Sequence, residues 1–472
     1  MIEWLPWGAD AFARAAREGK PVLLSITAAW CRACHEMDRT TYADPGVAAL
    51  IRDRFVPVRV DTDQRPDINE RYNLGGWPTT AFLTARGEIV TGGTFVPVDR
   101  MPGVLARVAD AFEKRAVEIL ERAKGHGDVE RQPPAEPVTG SDRDLTEAVV
   151  SSFDEEYGGF GVEPKFPHAA PLSLAMALYR ACGDPRLEYV VGRTLDAMFD
   201  DGLWDHVSGG FYRYSTGRGW RLPHREKLLD TNAALLRVYA EAALLFQRRA
   251  DLDRCRAIAG FITGALRAEG GGYYGSDSDR ILYADVNAAA AGALLAAATV
   301  LDDSDLGREA LTSFERVVLV CYRPGLGVAH YFDGSARVRG LLKDQVAAIG
   351  AMLDAHDVSG GEPYRMMGEE LAHLIVREMW DPDGVGFFDR AKAPDDIGLL
   401  LTRRKPFLEN ADGALALARL SRLDGRKGFS DPAGFREYAI GALRAAATHV
   451  NGMGPLGAHY ALAERQLRPP SI

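Results

Sequence analysis

The sequence is poor in cysteine, with five in 472 residues, at positions 31, 34, 182, 255 and 321. An odd count with one close pair excludes the dense disulfide framework of a small secreted scaffold. The expected compartment is the cytoplasm, where a Cys-x-x-Cys pair is more often redox-active or metal-binding than a structural bridge. Basic charge is also in deficit. Lysine and arginine total 56 against 66 acidic residues, for a net charge of −10, and no basic run is interleaved with aromatics. Nucleic acid is therefore not an expected partner. No stretch reaches about 18 uninterrupted apolar residues. The nearest, VNAAAAGALLAAATVL at 286–301, is alanine-rich, short and preceded by Asp285. The opening MIEWLPWGADAF has no positively charged segment leading into an apolar run. Neither a signal peptide nor a membrane span is expected. The stretches GRGW and GGG lack the strand–GxGxxG–helix setting of a dinucleotide site.

What is present divides the chain in two. Residues 8–18, 44–55, 65–73 and 99–123 carry helical patterns, while 21–27, 55–61 and the two arms of 75–90 read as strands. That alternation predicts an α/β domain over 1–123. The polar, Gly- and Pro-rich stretch 124–142 reads as a linker. From 143 to 472 alanine- and leucine-rich helical patterns dominate, and similar helix starts recur: APLSLAMA (170), DTNAALL (230), DVNAAAA (285), DQVAAIG (344), NADGALA (410) and LGAHYAL (456). Gly-aromatic loops separate them, among them GGFG, GGFYRYS, GGGYYGSD, VAHYFDG and GVGFFDR. A repeat of this length is one helix pair, and six pairs close into an (α/α)6 toroid.

The cysteine pair sits in AAWCRACHEM (28–37), after a buried strand and at the start of a helix. Backbone N–H groups and the helix dipole at such a place favour a thiolate. Cys31 would then attack a disulfide, and Cys34 would resolve the mixed disulfide. Zinc wants four ligands, and Cys31, Cys34 and His35 supply three at most, so no metal and no cofactor is expected. Two inert buried cysteines remain the plain alternative. GGWPT (75–79) begins an apolar strand 47 residues after Cys31, which makes Pro78 a candidate cis-proline beside the pair. Trp30, Arg32, His35, Trp77 and Pro78 are its expected supports.

Residues 5–112 resemble the thioredoxin-like domain of the spermatogenesis-associated protein 20-like family, through GKPVLLSI, WCRACHEM, VRVDTDQRPDIN and GGWPTTAFLT. The second half carries GGFGVEPKFPH (158–168), LWDHVSGGFYRYSTGRGWRLPHREKLL (203–229) and GGGYYGSDSD (270–279). The resemblance implies a thioredoxin-like domain followed by an (α/α)6 barrel similar to six-hairpin glycosidases and N-acylglucosamine 2-epimerases. Two residues depart from the implied pattern. Arg32-Ala33 fills the gap where an aromatic is common, and Ser25 stands where an ordinary thioredoxin keeps a buried aspartate as proton acceptor. That duty would pass to His35, Asp61, Asp63 or water.

In the barrel, a glycosidase needs two carboxylates, for which Asp205, Glu226, Asp277, Asp279 and Asp344 are candidates. An epimerase would prefer histidine bases, with His168, His206 and His224 first. Lys165, Tyr212, Trp220 and Asn232 complete the candidate pocket. The structural alternative is that the aromatics plug hairpin ends, that Asn232 and Gln345 cap backbone groups, and that Asp230, Asp285 and Asp344 cap helix starts. Three functions compete. One is a thiol–disulfide oxidoreductase acting on a disulfide-bearing protein or small thiol. Another is a carbohydrate-active enzyme with an accessory thioredoxin domain and a sugar ligand. The third is a non-catalytic scaffold.

Overall fold

The computed structural model describes residues 2–123, 135–136, 138–394, 396–423 and 434–468. Two compact units form: residues 1–131 with 392–404, and residues 132–391 with 405–472. Most of the expected linker lies outside the described residues; the barrel's first helix begins at Asp142, behind a capping box of Ser141 and Asp144.

In the first unit the elements run α1 (Ala9–Glu18), β1 (Val22–Thr27), α2 (Arg32–Arg39), α3 (Pro45–Arg54), β2 (Val56–Asp61), α4 (Pro66–Tyr72), β3 (Thr79–Leu83), β4 (Ile89–Gly93) and α5 (Met101–Ala123). The sheet order is β2-β1-β3-β4, with β1 and β2 parallel and the other pairs antiparallel. β1 is buried on both faces, which is why VLLSI reads as a continuous run rather than an alternation. Val22, Leu24 and Ile26 face Phe12, Ile68 and Tyr72; Leu23 faces Met37, Ile51 and Leu105. Two α/β layers of this kind are the thioredoxin-like arrangement the sequence predicts.

Residues 392–404 were expected in the barrel but pack within this unit instead. Arg71 donates from Nε to the Leu399 carbonyl (2.9 Å) and from Nη2 to that of Thr402 (2.9 Å). The Tyr72 hydroxyl donates to the Gly87 carbonyl (2.6 Å) and accepts from Leu399 N–H (2.9 Å). Leu400 enters the core with Phe12, Ile68 and Tyr72. Gly398, with φ of +61°, lies so close that a Cβ there would meet the Gly87 carbonyl oxygen at 2.7 Å.

The second unit alternates outer and inner helices. The outer set is α6 (Asp142–Ser152), α8 (Pro185–Asp200), α10 (Arg249–Ala265), α12 (Ser304–Cys321), α14 (Glu362–Met379) and α16 (Gly434–Ala447). The inner set is α7 (Ala169–Cys182), α9 (Leu229–Phe246), α11 (Ala284–Leu301), α13 (Leu342–Ser359), α15 (Phe407–Leu423) and α17 (Gly457–Leu467). Each inner helix touches the next, and α17 touches α7, so the ring closes. All six recurring starts open inner helices. α11 is long and apolar enough to cross a membrane, and 67% of it is buried inside the unit.

Short strands decorate the loops: β5 (Tyr214–Ser215), β6 (Pro223–His224), β7 (Leu282–Tyr283), β8 (Tyr322–Arg323), β9 (Gly327–Phe332) and β10 (Ala336–Arg339). β9, centred on VAHYF, was expected as loop. Its first four residues are buried, and it pairs with β7, β8 and β10.

The Gly-aromatic loops share one construction. Just past five of the six outer helices, a residue makes an antiparallel bridge to the residue after the glycines: Phe153 to Phe160, Trp204 to Phe211, Arg267 to Tyr273, Tyr322 to Val328 and Trp380 to Phe387. Four of those five residues are then gripped by an amide from the following inner helix. Asn232 accepts from Phe211 N–H (2.7 Å) and donates to its carbonyl (3.1 Å). Asn287 does the same to Tyr273, Gln345 to Val328 and Asn410 to Phe387. Gly210, at φ +87°, is required in its loop because a Cβ there would lie 2.6 Å from the Phe261 ring.

Candidate functional site

β1 delivers the chain to Ala28-Ala29-Trp30, and Cys31 becomes the N-cap of α2. Its sulfur accepts the Cys34 N–H at 3.2 Å, the bond a serine or aspartate normally makes at a helix start. A thiolate there gains from that donor and from the helix dipole. Cys31 is 6% exposed and Cys34 2%, and no disulfide joins them. The Cys34 thiol is held far above the ordinary range, first by its hydrogen bond to the Cys31 sulfur and then by burial.

Two tryptophans pack on the pair. Trp30 and Trp77 meet edge to face at 5.4 Å. Trp30 Nε1 donates to Asp63 Oδ2 (2.6 Å), and Trp77 Nε1 to Asn69 Oδ1 (3.1 Å). The Trp77–Pro78 peptide is cis. Arg32 and His35 are exposed, with the His35 ring nitrogen Nε2 2.7 Å from the Ala29 carbonyl. Ser25 is buried in β1, so no carboxylate occupies its place. The expected proton acceptors Asp61 and Asp63 are engaged: Asp61 Oδ1 accepts the Asp63 and Gln64 N–H groups, and Asp63 holds Trp30.

The barrel residues singled out from sequence divide differently from expectation. Lys165 is fully buried, paired with Asp154 at 2.8 Å and set over the Trp220 ring at 5.2 Å. Burial lowers its ammonium pKa from the ordinary value. Trp220 is buried and donates to the Tyr157 carbonyl. Both hold the first Gly-aromatic loop together rather than line a pocket. Asn232 is a loop clamp, as above. Asp205 accepts from Lys227 Nζ (2.7 Å) and from Ser208 Oγ (2.7 Å), and the Lys227 ammonium lies 5.3 Å from the Tyr212 ring. Burial alone would raise the Asp205 carboxyl, but these donors outweigh it and hold it well below the carboxylate range. His206 is an exposed residue beside the Phe199 carbonyl. Asp277 is exposed; Asp279 is buried, accepts the Tyr283 hydroxyl (2.7 Å) and is raised by burial. His224 and Glu226 do come together, Nδ1 to Oε2 at 2.7 Å, with Glu226 raised by burial. The His224 ring stacks on Tyr214, which stacks on Phe166, each at 4.8 Å.

The densest ionisable chemistry lies where the inner helices begin. His168 is the N-cap of α7, Asp285 lies in the first turn of α11, Lys343 and Asp344 in that of α13, and Glu409 in that of α15. Asp285 and Asp344 are not the helix caps the sequence suggested; the N-cap positions are Tyr283 and Leu341. Asp230 likewise follows an N-cap at Leu228. His330 Nδ1 from β9 meets Asp344 Oδ1 at 2.7 Å, Lys343 meets Asp285 at 2.8 Å, and His459 meets Asp412 at 2.7 Å. Burial lowers the His459 ring, but Asp412 reverses this and raises it; burial raises Glu409 and lowers His168.

Comparison with known proteins follows this division. Residues 1–128 match the family model Thioredox_DsbH, described as a protein of unknown function, DUF255. Spermatogenesis-associated protein 20 of Mus musculus is 31% identical over 304 residues, 58% of this chain and 38% of that protein. The chain is a homologue of spermatogenesis-associated protein 20. The match spans well under half of that relative's length. The thiol:disulfide interchange protein DsbD of Ralstonia nicotianae is 36% identical over 82 residues, 17% of this chain and 14% of DsbD. Among solved structures, cellobiose 2-epimerase from Bacillus thermoamylovorans aligns with a TM-score of 0.54 at 12% identity, over 66% of this chain and 86% of that one. The shared element there is the six-hairpin fold.

Sequence reasoning missed His330, Lys343, Glu409, Asp412 and His459. His330 sits in what read as a loop. The acidic residues at the other helix starts had a sufficient local explanation as caps, so nothing drew attention to these. The available signal was their recurrence at the same register of successive inner helices.

Proposed function

We propose that the N-terminal unit is a thiol–disulfide oxidoreductase, acting in the cytoplasm on a disulfide-bearing protein or small thiol. The observation that carries this reading is the Cys34 N–H on the Cys31 sulfur at the start of α2, with the remaining thiol proton held on Cys34. The Cys31 thiolate attacks one sulfur of a disulfide, and the other sulfur leaves as a thiolate. Cys34 then loses its proton and attacks the Cys31 sulfur, closing the Cys31–Cys34 disulfide and releasing the second thiol. The substrate disulfide gains two electrons, and the pair loses them. An external dithiol must restore it. The 82-residue similarity to the thiol:disulfide interchange protein DsbD supports the same chemistry.

The test is trapping. Cys34→Ser should accumulate mixed disulfides on Cys31, and Cys31→Ser should trap none and lose insulin-disulfide reduction. Equal activity of wild type and Cys31→Ser would end the proposal.

A second reading concerns the barrel. The Phe166–Tyr214–His224 stack, beside the buried Glu226 and with Phe166 37% exposed, favours a ring-bearing polar ligand such as a sugar. A sugar panel that left the melting temperature unmoved, and left it so in Glu226→Gln as well, would count against this.

A further inference from the structure

Asp285, His330 and Asp344 come from three different elements, α11, β9 and α13, and converge inside the barrel unit. Each offers a ligand atom, and these atoms all lie within 4.8 Å of one another. All three residues are buried: Asp285 is 9% exposed, His330 1% and Asp344 not at all. Asp344 Oδ1 is taken by His330 Nδ1, and Asp285 Oδ2 by Lys343 Nζ. The other oxygen of each carboxylate, Asp344 Oδ2 and Asp285 Oδ1, is buried with no hydrogen-bond partner.

Such an arrangement asks for a cation. A buried carboxylate oxygen without a donor is costly. Lys343 offsets one of the two negative charges, and either a proton on His330 or a bound cation must offset the other. The two carboxylates and the imidazole, whose Nδ1 would exchange its hydrogen bond to Asp344 for the ion, make a mixed oxygen and nitrogen donor set. Carboxylate suits manganese and magnesium, and imidazole suits zinc, iron and copper, so the mixed set fits a divalent transition ion such as Mn2+, Fe2+ or Zn2+.

We infer that Asp285, His330 and Asp344 form a binding site for one divalent transition-metal ion in the barrel unit. The site is separate from the cysteine pair and does not depend on the thiol chemistry proposed above. Lys343 stays on the far oxygen of Asp285 and limits how much charge the ion must neutralise.

Mn2+ is the probe, because a hard ion disfavours thiolates. The full chain, stripped with chelator, is titrated with Mn2+ and the free ion is read by electron paramagnetic resonance. Wild type should bind about one Mn2+ per chain, and the ion should raise the melting temperature. Asp344→Asn and Asp285→Asn should each weaken binding by at least about 10-fold, and Cys31→Ser/Cys34→Ser should leave it unchanged. Because a buried asparagine variant can fail to fold, anomalous diffraction from Mn2+-soaked wild-type crystals gives an independent reading. A peak in bonding contact with all three residues is expected. No binding to wild type at millimolar Mn2+, wild-type affinity in a folded Asp344→Asn, or an anomalous peak elsewhere overturns the site. The first result would mean that a proton on His330 balances the charge instead.

Discussion

Replacing Asn232 with alanine distinguishes a loop clamp from a ligand contact. Asn232 is fully buried, and its amide makes three hydrogen bonds, with Phe211 N–H (2.7 Å), the Phe211 carbonyl (3.1 Å) and the Leu228 carbonyl (2.8 Å). Alanine leaves at least the Phe211 N–H and carbonyl without that partner in a dry environment. Each orphaned buried group costs about 1–3 kcal/mol, so the loop should lose about 2–6 kcal/mol. At 1.4 kcal/mol per tenfold, a loss of about 3 kcal/mol raises the equilibrium population of the open loop about 100-fold. The assay is native-state hydrogen exchange followed by mass spectrometry on peptides spanning 203–229 and on those containing Phe387. Phe211 should lose protection while the equivalent Phe387, gripped by Asn410, keeps it. Asn232→Asp retains an acceptor for the N–H but loses both donations, and should be at least as damaging. Unchanged exchange at Phe211 together with lost ligand binding would refute the clamp and return Asn232 to the pocket.

Four further outcomes follow from particular contacts. In a Cys182→Ser background, one equivalent of iodoacetamide under native conditions should fall on Cys31; Cys34 keeps its proton, and burial raises Cys255 and Cys321 to about 12. Peptide mapping that finds Cys34 labelled first would contradict the assignment of nucleophile. Arg71→Ala removes both side-chain bonds to residues 399 and 402, worth about 1.5–3 kcal/mol each as charged hydrogen bonds. Limited proteolysis should then cut within 392–404 faster than in wild type. Asp205 has its carboxyl depressed in the folded state, so its pairing with Lys227 contributes stability above the ordinary carboxylate pKa and loses it as pH falls through the depressed value. The melting-temperature gap between wild type and Asp205→Asn should therefore be full at pH 6–8 and shrink in acid; a pH-independent gap would remove charge from the explanation. Gly210→Ala forces a Cβ against Phe261 at a left-handed φ, and should cost more than the about 1 kcal/mol typical of a point substitution in thermal melts.

How far the sequence reached depended on the range of the interaction behind each feature. The thioredoxin strands were legible because β1 is buried on both faces, and its apolar run needs no distant partner to be noticed. The inner helices were legible because six of them begin alike, and repetition turns a weak local pattern into a strong one. The Asp-x-Asn starts show the limit. At 100° per residue, two positions along a helix face nearly opposite ways. Asn232 and Asn287 turn toward the loops and grip Phe211 and Tyr273. Asp285, two places before Asn287, turns instead to Lys343 and the His330 region. A capping reading accounted for aspartate near a helix start, so the same letters concealed a second use. The return of residues 392–404 to the N-terminal unit was invisible for another reason. Its partners, Arg71 and Tyr72, are more than 320 positions away, and the bonds run largely to backbone groups that every residue possesses. A loop whose contacts are carbonyls and amides leaves almost no mark in side-chain chemistry. Only Gly398, required by the close approach to Gly87, and Leu400, required by the core, carry the contact in their identities.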